Sequence, residues 1–172
     1  MAPGQIYETS GLVVRSWPGG GRDVVASRAI PAGEVIVIWS GIPMSTAQVE
    51  ALPEREKDFI LQTDDDVFLV TPLDELCTAD FVNHSCRPNC GLRDAVTLVA
   101  MRNIDVGESI TFDYAMSDAN SIVEFECRCG ADECRGRVTG SDWMLQDLQA
   151  RYAGWFAPHV QRRIESLSRQ GS

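Results

Sequence analysis

Phe81-Val82-Asn83-His84-Ser85-Cys86-Arg87-Pro88-Asn89-Cys90 gathers two amides, an imidazole and two thiols into one short run. Alone, such a run is weak evidence of a site, because most histidines are simply hydrogen-bonded or exposed. Two later runs give it weight. Gly107-Glu108-Ser109-Ile110-Thr111-Phe112-Asp113-Tyr114 comes next, and Cys127-Arg128-Cys129-Gly130-Ala131-Asp132-Glu133-Cys134 closes the series. Cys127, Cys129 and Cys134 put three thiolates within eight residues, and a closed structural zinc site needs four ligands in a tetrahedron.

Composition narrows the setting. The 172 residues suffice for one domain with a real core, and 44% hydrophobic with 23% charged content is ordinary for a globular chain. Met1-Ala2-Pro3-Gly4-Gln5-Ile6-Tyr7-Glu8 has no basic and apolar leader pattern, and no apolar run is long enough for a bilayer. A soluble intracellular protein is expected, in the cytoplasm, or in the nucleus if eukaryotic. In that setting six cysteines favour metal or free thiols over disulfides. A net charge of −10 argues against direct nucleic-acid binding and favours basic partners, although it also serves solubility. Of the 15 basic residues only Lys57 is a lysine. Codon bias in a GC-rich genome accounts for that more simply than avoidance of self-modification.

Local patterning reads as mainly β with some α. Residues 1–10 are expected to be a loose lead-in. Leu12-Val13-Val14 and Val24-Val25-Ala26 read as strands flanking the loop Pro18-Gly19-Gly20-Gly21. Val35-Ile36-Val37-Ile38-Trp39 is a β-branched strand, and Phe68-Leu69-Val70-Thr71 and Thr97-Leu98-Val99-Ala100 are shorter ones. Asp64-Asp65-Asp66 reads as a hairpin tip. Residues 45–60 are expected to be helical, with Ser45 or Thr46 as N-cap. After Gly140, Leu145, Leu148, Tyr152, Trp155 and Phe156 share one helical face, from Ser141 as N-cap to a stop near Gly154. Pro158 suits the first position of a second helix carrying Val160, Ile164 and Leu167.

One pattern occurs twice. Residues 26–36 and 100–110 both read A-x-R-x-I-x-x-G-E-x-I, each as strand, tight turn with glycine at positive φ, and strand. Two copies this far apart predict two similar hairpin corners in one β-rich fold.

The three motifs, in this order, resemble the SET domain with its post-SET zinc segment, over roughly residues 11 to 138. The resemblance implies several small sheets around a pseudoknot, with a SET domain at 11–115 carrying an insert at 42–76. A zinc-bound post-SET segment at 116–140 and a helical extension at 141–172 complete the expected layout. It further implies transfer of methyl groups from S-adenosylmethionine (SAM) to a lysine of a protein or histone-like substrate, by a monomer with no membrane partner. By motif position, Tyr114 is the catalytic candidate, and Asn83, His84, Gly21, Arg22, Asp23 and Tyr114 are the cofactor-binding candidates. Trp39 and Phe112 fall at the substrate channel. Cys86 becomes the fourth zinc ligand beside Cys127, Cys129 and Cys134, with Cys90 competing for the place and Cys77 expected to be a buried thiol.

Three positions depart from the family pattern. Asp23 stands where a second glycine is usual. Trp39 of Trp39-Ser40-Gly41 replaces a tyrosine, as a channel wall able to make cation–π contact or as a core residue. Asp80 replaces an arginine. The alternative function is therefore a catalytically inactive SET-like module that binds basic peptides or scaffolds a complex.

Overall fold

The structure is a computed structural model and describes residues 6–18 and 20–170. The lead-in before Ile6 and Gly19 of the glycine loop lie outside these residues, as do Gly171 and Ser172. In chain order the strands are β1 (Tyr7–Glu8), β2 (Leu12–Ser16), β3 (Arg22–Ala26), β4 (Val35–Ile38) and β5 (Ile42–Met44), followed by helix α1 (Thr46–Glu50). Then come β6 (Ile60–Asp64), β7 (Val67–Val70), β8 (Asn83–His84), β9 (Cys90–Leu92), β10 (Thr97–Ala100) and β11 (Thr111–Phe112). The last elements are β12 (Phe125–Glu126), β13 (Arg137–Val138), α2 (Gln146–Arg151) and α3 (Pro158–Gln170). Among the described residues the strands form five small sheets, ordered β1-β4-β10-β9, β2-β3, β5-β7-β6, β8-β11 and β12-β13.

The β-branched run Val35–Ile38 becomes the inner strand of the largest sheet, with Ile36 and Val37 fully buried. The core closes around Leu92, Leu98, Ile104 and Ile110. The expected loose lead-in is corrected in part. Tyr7 and Glu8 pair with Ile38 and Val37 as an edge strand.

The repeated pattern has a structural meaning beyond two similar corners, because each copy completes the other. The Gly33 amide donates to Ala100 O (2.8 Å) and the Gly107 amide to Ala26 O (2.7 Å). The Ala26 and Ala100 amides donate in turn to Glu108 O and Glu34 O, both at 3.0 Å. Ile30 and Ile104 exchange both backbone hydrogen bonds at 2.9 Å. Inside each copy the arginine pairs with the glutamate, Arg28 with Glu34 and Arg102 with Glu108. Gly33 and Gly107 sit at φ 85° and 88°, where a Cβ is penalised. The repeat is thus two interlocked corners.

The expected helix over 45–60 is corrected. α1 ends at Glu50, and a separate 3-10 turn covers Glu54–Phe59. Pro53 lacks an amide hydrogen and disfavours the α region at Leu52, so it divides the segment. The expected hairpin tip is there, with Asp64 ending β6 and Asp65 and Asp66 turning the chain into β7.

The C-terminal extension also differs in detail. Asp142–Met144 form a 3-10 turn, and α2 starts only after Leu145, which is left 43% exposed. Leu148, Tyr152 and Phe156 are buried as expected, and Gly154 takes φ 84° at the stop. α3 begins at Pro158 and buries Val160, but Leu167 is exposed. Its other face reaches the β6–β7 tip, where Arg162 pairs with Asp64 and Arg163 with Asp65. No helix among the described residues is long and apolar enough to cross a membrane.

Candidate functional site

Two short strands set the geometry. β8 and β11 pair in parallel, Asn83 with Thr111 and His84 with Phe112, and the Ser85 amide extends the ladder to Phe112 O at 3.1 Å. A parallel pair requires a long crossover, so residues 85–110 loop away and return. The chain leaves β11 at Asp113, whose carboxylate accepts from the Ala115 amide and caps a 3-10 turn starting at Tyr114. The Tyr114 ring lands 5.4 Å from His84 and 4.9 Å from Phe112, centroid to centroid.

Hydrogen bonds fix the protonation states here. His84 Nδ1 accepts from the Tyr114 amide at 3.2 Å, so the ring proton is on Nε2, facing Cys86 Sγ at 3.3 Å. Burial lowers the His84 pKa to about 4, leaving the ring neutral near pH 7. The Tyr114 hydroxyl donates to Val82 O at 3.2 Å. Burial, with the charges of Asp118 and Asp58 adding, holds it well above the usual phenol range, so it stays protonated.

Two cavities meet at this ring. One is small, about 80 Å³, walled by Trp39, Phe59, Phe112 and Tyr114, with Asp118. The other is an open cleft of about 1190 Å³ lined by Gly21, Arg22, Asp23, Asn83, His84 and Tyr114, with Phe125. The predicted cofactor-binding residues therefore share one cleft, the predicted channel residues share one cavity, and Tyr114 belongs to both.

The departures from the family pattern have local accounts. Asp23 is not left free for a ligand. Arg15 grips it with two hydrogen bonds (3.2 and 2.7 Å), and Ser109 donates to it at 2.7 Å. Asp80 accepts the Cys77 amide at 2.7 Å and caps the 3-10 turn Thr78–Phe81. Trp39 is both wall and core, its ring tilted against Phe112 at 5.7 Å between centroids and its indole N–H donating to Ala79 O at 3.3 Å. The Asn83 side chain donates to Arg22 O at 2.6 Å and ties the start of β3 to β8.

The sulfurs of Cys86, Cys127, Cys129 and Cys134 all lie within 4.8 Å of one another. A tetrahedral zinc with Zn–S near 2.3 Å places its sulfurs about 3.8 Å apart. Cys86 and Cys127 are 3.9 Å apart, which matches that spacing and is far too long for a disulfide. The four thiols fit the metal. Cys90 stands apart in the main core, donating to Asn89 Oδ1 at 3.5 Å, and burial raises its thiol to about 12. Cys77 is half-buried, and burial likewise raises it to about 12.

Other residues of the site escaped sequence reasoning. Arg135 forms a bidentate pair with the fully buried Asp113 (2.6 and 2.8 Å) and also binds Asp142 at 2.9 Å. Phe125 packs edge-on against His84 (5.9 Å) and Tyr114 (6.0 Å), closing the cleft from the cysteine segment. Gln62, fully buried on β6, accepts from the Ala119 amide and the Asn120 side chain, and so holds the chain after Tyr114 against the insert. No short motif marks these three.

Asp118 is the fourth. Burial pushes its carboxyl up to about 7 against a hydrogen bond from Ser117, and the Asp113 charge adds to the rise. An unfolded Asp titrates near 3.9. Folding therefore favours the protonated form, and this contribution is lost as pH rises through 7. Asp118→Asn is expected to raise the melting temperature at about pH 8 and to change it much less at about pH 4.5, measured by thermal denaturation at both.

The parallel pairing of β8 with β11 and the shared tyrosine define a SET fold. The SET-domain family model matches residues 21–115, more than half of the chain, and the chain belongs to the SET-domain family. It is 31% identical over 129 residues to histone-lysine N-methyltransferase 2B of Homo sapiens, covering 67% of this chain and 5% of that protein. It is 38% identical over 77 residues to histone-lysine N-methyltransferase ash1 of Drosophila melanogaster, covering 41% and 4%. With histone-lysine N-methyltransferase ASHR3 of Arabidopsis thaliana it shares 30% over 128 residues, covering 67% and 25%. The chain thus spans a small part of the length of these relatives.

Proposed function

We propose that the chain is a SAM-dependent protein-lysine N-methyltransferase acting on a protein or histone-like substrate. The observation that carries this reading is Tyr114 standing in the wall of both an open polar cleft and a small aromatic cavity. A bound SAM supplies a methyl group on a sulfonium. In this reading Asn83, His84 and the backbone of Gly21, Arg22 and Asp23 at the start of β3 hold it in the cleft, with Phe125 as cover. Trp39 and Phe112 guide a lysine through the cavity, where the aromatic faces suit an ammonium or methylammonium.

An amine must be neutral to accept a methyl. Deprotonating a lysine of pKa 10.4 at pH 7 costs about 4.6 kcal/mol. A dry aromatic cavity lowers that cost by disfavouring the ammonium. The Tyr114 hydroxyl, already donating to Val82 O, keeps its lone pairs for an N–H of the incoming amine and so orients it. Alignment supplies most of the remaining acceleration. Phe112, with no hydroxyl, leaves room for more than one methylation. Cys86, Cys127, Cys129 and Cys134 hold a structural zinc that fixes the Phe125 wall. The alternative of an inactive module gains nothing from Asp23, Trp39 or Asp80, since each is accounted for by local contacts.

The test is label transfer from methyl-labelled SAM to histones and lysine peptides, with parent and Tyr114→Phe side by side. The substitution is expected to lower turnover about 10²- to 10³-fold, with SAM affinity by calorimetry nearly unchanged. A Tyr114→Phe chain as active as the parent would remove this tyrosine from the chemistry.

A further inference from the structure

Lys57 is the one lysine in the whole sequence, and it sits at the site. It lies on the 3-10 turn Glu54–Phe59, and its side chain is only 16% exposed. It lines the aromatic cavity and also the cleft, as Tyr114 does. Among the described residues it is the sole cationic side chain in the cavity wall, where Asp58, Asp80 and Asp118 supply carboxylates. The carboxylates draw an ammonium toward the mouth of the cavity, before desolvation inside favours the neutral amine, and here an ammonium is already built into the rim.

We propose that Lys57 is an intramolecular methyl acceptor: its ε-amine enters the cavity from the rim and takes a methyl at Tyr114. The inference rests on the methyltransferase reading above. The step balances as a displacement. Lys57 first loses a proton to water, its Nζ lone pair forms the new N–CH3 bond, and the S–CH3 bond breaks to leave the neutral thioether.

What restrains Lys57 is weak. Its ammonium contacts Glu54 at 2.7 Å, but that carboxylate is 90% exposed, and exposed pairs hold loosely. The turn itself is pinned where Phe59 packs edge-on against Phe81, 6.0 Å between centroids. With the turn held there, the movement the proposal calls for is that of the Lys57 side chain, which already lines the cavity. A tethered amine acts at an effective concentration near the millimolar range, well above a free peptide at micromolar levels.

The experiment incubates the full chain with labelled SAM, with and without a lysine peptide. Labelled sites are then mapped by mass spectrometry after cleavage at acidic residues. Methylation at Lys57 is expected, at a rate per molecule that does not change on dilution. Lys57→Arg is expected to abolish the self-label, and Glu54→Ala to raise it about two- to five-fold. Peptide labelled with Lys57 unmodified overturns this inference alone. A self-label that accelerates with protein concentration overturns its intramolecular character. Neither peptide nor Lys57 labelled, with SAM bound, sinks the methyltransferase reading beneath it.

Discussion

Arg135→Met is expected to destabilise the chain by about 3–5 kcal/mol. Asp113 is completely buried, and Arg135, 14% exposed, is its cationic partner through two hydrogen bonds. Burial by itself would lower the arginine pKa, and the hydrogen bonds to Asp113 together with the charges of Asp113, Cys86 and Asp142 more than reverse that, so the guanidinium stays charged. Removing it strands a carboxylate that keeps the Tyr152 hydroxyl at 3.1 Å and the Ala115 amide at 3.1 Å, too little to stabilise a buried charge. The effect reaches the site because Asp113 caps the turn that presents Tyr114, and the Arg135 amide donates to Cys86 Sγ at 3.4 Å. For a chain of this size the melting temperature should fall by roughly 6–20 °C. Asp113→Asn should lose less in the Arg135→Met background than alone, since the pair acts as a unit. Two fully additive losses would show that the pair is not the brace described.

Metal removal is expected to have the second large effect. The purified chain should hold about one zinc bound by thiolates, and a strong chelator or Cys127→Ser should release it. Structural zinc contributes folding free energy directly. Here that contribution is local, because β12 and β13 are two-residue strands with little core of their own. Cys86, beside β8, would tie this segment to the β8–β11 pair. Without the metal the Phe125 wall against His84 and Tyr114 loosens, so SAM binding by calorimetry should fall by an order of magnitude or more. Zinc binding should also weaken in acid, because protons compete for the thiolates. A chain that carries no metal, or binds SAM equally well after chelation, contradicts the assignment of the four cysteines.

The parts of this fold legible in the sequence are those where geometry demands particular residues. The interlocked corners need glycine at positive φ with an Arg–Glu pair around it, so Arg28, Gly33 and Glu34 recur as Arg102, Gly107 and Glu108. The pairing of β8 with β11 is legible because Asn83-His84 and Phe112-Asp113-Tyr114 form a resemblance more specific than periodicity. Periodicity alone misplaces Leu145, since a face drawn on a continuous helix cannot show that the helix restarts after a 3-10 turn. Pro53 is the residue that argues against one helix over 45–60, and helical patterning on both sides of it masks the break. Cys86 and Cys90 flank one turn, and nothing local distinguishes them. The choice is made by tertiary packing, which turns Cys86 toward Cys127 and Cys90 into the core. Asp118, Lys57 and Arg135 gain their surroundings from segments far apart in the chain, so only the folded form reveals them.

The proposed chemistry depends on Tyr114 separating a cofactor cleft from a lysine cavity. The most direct measurement is a structure of the chain with S-adenosylhomocysteine and a lysine peptide bound together. The predicted result has the cofactor sulfur in the cleft beside Asn83 and His84, and the lysine nitrogen arriving past Trp39 and Phe112. The nitrogen should stop within about 3.5 Å of the Tyr114 oxygen. A bound lysine outside that cavity, or a cofactor seated away from β8, contradicts it.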